Sequence, residues 1–328
     1  MAGHPDRPGE FALIAEFLAP LTATAPGAFD LTDDAALFSP PAGHDIVLTT
    51  DSIVEGVHFF RDDPAPSIAR KALRVNLSDL ACKGADPAGY LLNLLLPEWT
   101  GRAWFEAFTA GLSQDQAAFG LSLWGGDTSR TPGPLAISIT AIGLAPAGAM
   151  IRRAGAKAGD LVFVSGTIGD AGAGLSMRRG DLAGGASRDC LVDRYRIPIP
   201  RLSLGAAMRG LVHAALDVSD GLIADLNHLA SASGLGLVVI LEDVPLSVSY
   251  RAALGDTRQA RIAAVTAGDD YEIALACPPS RRSELEVAAA RCGVPLTCIG
   301  YAVEGHGVRL QARAGDEIAL QVKGFTHF

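Results

Sequence analysis

The chain has 328 residues, 49% of them hydrophobic and 19% charged, so it is long enough for two globular domains and too apolar for a disordered polymer. Its formal net charge of −9 and pI near 5.2 exclude a broad nucleic-acid-binding face, which needs a basic stripe. The same balance still allows an anionic small ligand, because bound cations invert the local field.

The opening "MAGHPDRPGEF" has no apolar core, so no signal peptide is expected. Apolar spacing in "EFALIAEFLAPL" predicts a helix that stops near Pro20, and "DIVLTTD" a strand that ends on Asp51. Ile68, Ala72, Val75 and Leu80 recur at helical intervals after Pro66 and predict a helix over 67–80. "GYLLNLLLP" reads as a buried strand and "RAWFEAFTAGLSQDQAAFG" as a helix ended by Gly120; "LSLWGGD" and "LAISITAIGLAP" read as strands. The uncharged run from Thr131 to Ile151 holds three prolines and β-rich stretches, so it is no membrane span. Between about 145 and 160 the composition turns to Gly, Ala and Pro, with Arg152, Arg153 and Lys157 grouped, as expected between domains 1–148 and 149–328.

In the second half "DLVFVSG", "LGLVVIL", "YEIALACP" and "LTCIGYAV" read as strands, and "GLIADLNHLASASG" and "RRSELEVAAARCG" as helices. "MRRGDLAGGASRDCLVDRYRIPIPR" reads as a charged loop. Alternating strands and helices define an α/β chain. Five scattered cysteines without a C-x-x-C favour neither a disulfide framework nor structural zinc, so a reducing cytoplasm is the expected location. No P-loop, Rossmann fingerprint or H-E-x-x-H occurs, so any nucleotide is held in another way.

Acids recur where apolar runs end or where Gly and Ser gather: "LTDDAAL", "LTTDSIVEG", "NLSDLAC", "WGGDTSR", "DVSDGLIADL" and "TAGDDYEI". Carboxylates are hard ligands, and Mg²⁺ takes one or two of them together with water and phosphate oxygens, so single acids from many segments suit Mg²⁺–phosphate better than a Ca²⁺ cage. Each acid also has a plainer reading. Asp79 is either a ligand or a solvated acid at a helix end. Asp217 and Asp220 are metal ligands, or Ser219 or Asp220 caps the helix starting near Gly221, and such a cap is compatible with a phosphate site at the same helix N-terminus. Asp51 is a strand-end ligand or a turn acid. Asp127 stands behind glycines that admit a phosphate, or in a hairpin turn. Asp33 and Asp34 fit a turn. His58, among apolar neighbours, is a satisfied core group or a contact. Arg152 and Arg153 bind phosphate or are solvated.

Taken in order, "DDAAL", "TTDSIVEGVHF", "KALRVNLSDLACKGADP", "GGDTSR", "RRAGAKAGD", "DVSDGLIADL" and "GDDYEI" resemble the thiamine-monophosphate kinase family, from Gly9 to the C-terminal "KGFTHF". That family lies in the aminoimidazole ribonucleotide synthetase-like superfamily. The resemblance implies a two-domain α/β fold whose N-terminal strands form a β-barrel across a homodimer, with an α+β C-terminal domain. It implies ATP bound without a P-loop, and phosphoryl transfer from ATP to thiamine monophosphate with Mg²⁺, giving thiamine diphosphate. By position it makes Asp34, Thr49, Thr50, Asp51, Asp79, Asp127, Asp217 and Asp220 metal-binding. It assigns nucleotide contacts to Gly126, Asp127, Arg153 and Ser219, and substrate contacts to His58, Asp269 and Phe325. The sequence departs from the family pattern at Thr32, usually Gly; at Asp269, usually Glu; and at Lys83, commonly apolar. The alternatives are another ATP-using enzyme of the superfamily with a different acceptor, a non-catalytic Mg²⁺–nucleotide sensor, or a structural Ca²⁺ protein.

Overall fold

The computed structural model describes residues 6–183, 185–320 and 324, and its contacts divide the chain into two compact units. One unit comprises residues 1–80 and 86–148, the other 81–85 and 149–328.

The first unit begins with α1 (Glu10–Leu13), which runs on through a π-helical turn, Ile14–Leu18, and a 3-10 turn, Ala19–Thr22. The helical lead therefore does not stop at Pro20. The proline falls at the start of the 3-10 turn, where its missing N–H is not needed. There follow β1 (His44–Val54), α2 (Ala65–Cys82), β2 (Asp86–Leu96), α3 (Arg102–Phe119), β3 (Ser122–Arg130) and β4 (Ala136–Pro146). Gly120 closes α3 in the left-handed conformation expected of it. Two strands outrun their sequence signals. β1 continues past Asp51 because Ser52, Ile53 and Val54 keep their pairing to β4. "GGDTSR" is not a hairpin turn, because it continues β3 in parallel pairing with β2.

These strands form one sheet in the order β1-β4-β2-β3, antiparallel except for β2 with β3. Alternation sends Val47, Ile53, Leu92, Leu94, Ile137 and Ile139 to a buried face. α2 and α3 lie on that face: Asn76 accepts the Asp51 N–H, and Gln116 donates to the Tyr90 hydroxyl. The opposite face presents Leu48, 65% exposed, with Ile46, Leu91 and Leu95 also exposed. Among the described residues the sheet closes into no barrel; β1 and β3 are its edges.

The second unit contains β5 (Leu161–Ser165), α4 (Asp170–Arg179), α5 (Arg188–Arg196), α6 (Leu202–Ala207), β6 (Ala214–Asp217), α7 (Leu222–Ser233) and β7 (Gly236–Ile240). It is completed by α8 (Val248–Leu254), α9 (Arg258–Thr266), β8 (Ile273–Cys277), α10 (Arg282–Arg291), β9 (Leu296–Val303) and β10 (Gly307–Gln311). The sheet order is β10-β7-β9-β5-β8-β6. The stretch read as a charged loop is largely helical. α5 needs only Leu191, Val192 and Tyr195 on one face to dock, and its remaining side chains except Cys190 are charged, which hides its periodicity. Strand neighbours go to different cores: Val162, Val164, Ala274 and Ala276 to one, Phe163, Ile273 and Leu275 to the other. Both faces of this sheet are thus covered. Among the described residues, no helix is long and apolar enough to cross a membrane.

Candidate functional site

In the first unit β1 divides its polar residues between two faces. Thr49 and Asp51 share the side of Val47 and Ile53, towards α2. There the Thr49 hydroxyl donates to the Asp79 carboxylate, and the Asp51 N–H donates to Asn76 Oδ1 at 3.0 Å. Asn76, three residues before Asp79 on α2, donates its amide to the Ala72 carbonyl of the same helix, which leaves its Oδ1 to accept from the strand. A hydroxyl and two carboxylates on one face make a set of hard oxygen donors suited to Mg²⁺. His58 follows in the turn after β1. Its Nδ1 accepts the Val54 N–H at 3.1 Å, so the neutral ring carries its proton on Nε2. Its carbonyl accepts from the buried Lys71 ammonium.

Thr50 faces the other way and donates to the Ile139 carbonyl, beside Thr140. Over the β2–β3–β4 part of that face lies a cavity of about 720 Å³ that gathers Asp33, Asp34, Gly126, Asp127 and Trp124. At Gly126 a Cβ would stand 1.8 Å from the Leu92 carbonyl oxygen, so the strand pairing itself demands glycine there. The Asp127 carboxylate accepts the Ser129 hydroxyl at 3.0 Å. Within one chain, Asp127 on β3 and Asp51 on β1 occupy opposite edges and opposite faces of the sheet. Three strand spacings of about 4.8 Å put them roughly 14 Å apart, too far to hold one ion.

In the second unit β6 ends on Asp217, and Ser219 and Asp220 form the turn into α7. Neither side chain caps that helix. Asp225, from within the first turn, accepts the N–H groups of Asp220 at 3.0 Å and Gly221 at 3.1 Å. Burial, reinforced by the neighbouring Asp220 charge, pushes the Asp225 carboxyl up to about 7. Arg153 is exposed, and the Arg152 carbonyl accepts the Ala215 N–H, which sets the pair of arginines beside β6. Lys83 donates to the Ala215 carbonyl of the same strand.

The turn carrying Asp269 lies against the Asp217–Asp220 turn as a short ladder. Asp269 N–H donates to the Ser219 carbonyl, Tyr271 N–H to the Val218 carbonyl, and Val218 N–H to the Glu272 carbonyl, each at 2.8 Å. Asp269 and Tyr271 both have positive φ, 69° and 51°, which costs a non-glycine residue about 1 kcal/mol or more. Asp, with its short polar side chain, visits that region more readily than Glu, which fits the departure seen at this position. Between them Asp270 is fully buried, and its carboxylate accepts the Gly169 N–H at 2.7 Å; burial raises it well above the usual carboxylate range. Phe325 lies outside the described residues.

The structure therefore gathers Thr49, Asp51 and Asp79 in one group, and Asp34, Gly126 and Asp127 in a second. Asp217, Ser219, Asp220 and Asp269 make a third, with Arg153 beside its strand. The sequence picked out neither Asn76 nor Arg194; Asp225 and Glu272 stood among the recurring acids without an assigned role.

Comparison with known proteins follows the same division. Residues 32–145 match the model of the AIR synthase related protein N-terminal domain, and residues 157–313 that of its C-terminal domain. The chain thus has the two-domain AIR synthase-related α/β fold. Hydrogenase maturation protein HypE from Escherichia coli, 23% identical with a TM-score of 0.78 over 97% of this chain and 98% of that one, shares that fold. Thiamine-monophosphate kinase from Caulobacter vibrioides is 46% identical over 98% of this chain and 91% of its own length. The kinase from Escherichia coli K12 is 38% identical over 98% of each. AaThiL, solved in complex with AMPPCP and TMP, superposes with a TM-score of 0.78 at 30% identity, over 98% of this chain and 97% of that one. The chain belongs to the thiamine-monophosphate kinase family.

Proposed function

We propose that the protein transfers the γ-phosphoryl group of ATP to thiamine monophosphate, giving thiamine diphosphate and ADP. The observation that carries this reading is the match over nearly the full length of both chains to AaThiL, which is described with AMPPCP and TMP bound. The acid-rich composition of the site fits this reaction. The acceptor is a phosphate monoester with a second pKa of about 6, already anionic at neutral pH, so no general base is required. The obstacle is repulsion between two polyanions, and the remedy is alignment with charge neutralisation.

Asp34, Thr49, Thr50, Asp51, Asp79, Asp127, Asp217 and Asp220 are proposed as Mg²⁺ ligands. The Thr49–Asp51–Asp79 group fits that ion by its hard oxygens. Bound Mg²⁺ would supply bridging charge between the phosphates. Gly126, Asp127, Arg153 and Ser219 are assigned to the nucleotide. His58, through its Nε2 proton, and Asp269, as an acceptor, are assigned to the substrate together with Phe325. In this scheme the region 1–148 binds ATP and Mg²⁺ and dimerises, and 149–328 completes both sites, in a cytoplasmic enzyme.

A homodimer resolves what one chain leaves open. Joining the β1 edge of each protomer to the β3 edge of its partner closes an eight-stranded barrel and removes the exposed edges. It covers Ile46, Leu48, Leu91 and Leu95. It also brings the strand bearing Asp127 of one protomer next to the strand bearing Asp51 of its partner, so that one active site draws on both subunits. Phosphorus NMR with ATP and thiamine monophosphate tests the activity. New diphosphate resonances of thiamine diphosphate, seen only with Mg²⁺, are expected; ADP and free phosphate alone would point to a superfamily relative with another acceptor.

A further inference from the structure

The turn bearing Asp269 is held from behind by a buried ionic cluster that the phosphoryl-transfer scheme does not use. Glu272 is wholly buried. Its carboxylate accepts from Arg201 Nε at 2.7 Å, from Arg194 Nη2 at 3.1 Å and from the Ser165 hydroxyl at 2.6 Å. Ser165 in turn accepts the Ile273 N–H. Gly166 leaves room for this cluster: a Cβ there would lie 2.1 Å from Glu272 Oε1. Arg194 Nη2 also donates to the Asp270 carbonyl at 3.2 Å, inside the turn itself. Its Nη1 is buried without a hydrogen-bond partner among the described residues.

Two positive-φ residues in a row of three do not hold such a shape unaided. Here the shape is fixed from one side by the ladder to Val218 and Ser219, and from the other by Arg194 and Glu272. We infer that Arg194, braced by Glu272 and Arg201, is a positioning residue that aims Asp269 at the substrate. This rests on the proposal above that Asp269 contacts thiamine monophosphate.

The test is steady-state kinetics of the full-length protein with ATP, Mg²⁺ and thiamine monophosphate, on Asp269→Ala, Arg194→Ala and the double variant. Asp269→Ala is expected to raise the KM for thiamine monophosphate about tenfold and leave that for ATP nearly unchanged. Arg194→Ala is expected to raise the same KM about fivefold alone, and to add nothing once Asp269 is gone. An Arg194→Ala effect of equal size in both backgrounds, confined to kcat or the KM for ATP, or absent, overturns the positioning role. An unchanged KM in Asp269→Ala overturns the reading of Asp269 itself, whatever Arg194 does. Should Arg194→Ala not fold, Arg194→Lys, which keeps the charge for Glu272 and loses the fork, goes through the same cycle.

Discussion

In the six-stranded sheet successive residues enter different cores, Val162 and Val164 one and Phe163 the other, so each face is sealed by the chain's own helices. The four-stranded sheet has helices on a single face, and leaves Leu48 and its apolar neighbours in the open beside two unpaired edges. The first sheet is complete within one chain. The second leaves an apolar face and two edges unpaired within one chain, and Asp51 and Asp127 stand on its opposite edges and faces, which is what the proposed dimer would complete.

The largest expected effect tests that incompleteness directly. Asp51→Asn and Asp127→Asn should each lower kcat by about a thousandfold or more, with the far-ultraviolet circular dichroism unchanged. Co-expression of the two inactive variants should restore about a quarter of the wild-type activity, because half of the dimers are mixed and each mixed dimer keeps one intact site. If the mixture stays inactive, both acids act within one chain and the cross-subunit site is wrong. Next come substitutions that set sheet against sheet. Leu275→Ala, in the sealed core, should cost about 3 kcal/mol in urea unfolding and leave the assembly intact. Leu48→Glu should convert dimer to monomer in light scattering while the second unit keeps its unfolding midpoint. Monomers from Leu275→Ala, or an unaltered dimer from Leu48→Glu, would erase the contrast.

The smallest effect concerns Asp225. Its folded-state pKa is about 7 against 3.8 unfolded, so the folded protein holds that proton more tightly. The resulting stability is fully present below pH 3.8 and is lost as pH rises through 7. Asp225→Asn, which can still accept both loop N–H groups, should therefore stabilise the metal-free protein by about 2 kcal/mol at pH 8 and not at pH 4. A gain of equal size at both values would show that the carboxyl does not titrate in this range.

Much of the fold was legible because its signals are local. Gly120 and Gly234 stop their helices in left-handed conformations, and the apolar runs around Leu92 and Leu275 are strands. What escaped was either sparse or set by tertiary pairing. α5 docks on three apolar residues, β6 is four residues long, and the reach of β1 to Val54 depends on a partner strand more than eighty positions away. The candidate site divides in the same manner. The acids stand out because they break apolar runs. Their grouping did not, although alternation along β1 alone would have parted Thr50 from Thr49 and Asp51. Arg194 lay in a segment read as loop, and nothing in its neighbourhood marks which arginine reaches a buried carboxylate.

The ladder between the Val218–Ser219 and Asp269–Glu272 turns has a thermodynamic corollary. With Ser219 assigned to nucleotide and Asp269 to substrate, the two contacts share three backbone hydrogen bonds, and neither turn shifts without the other. If the proposed roles hold, a shift of either turn on binding would pass to the other and couple the two affinities. Linkage requires the coupling to be mutual, so whatever factor ATP contributes to the hold on thiamine monophosphate, thiamine monophosphate returns to ATP.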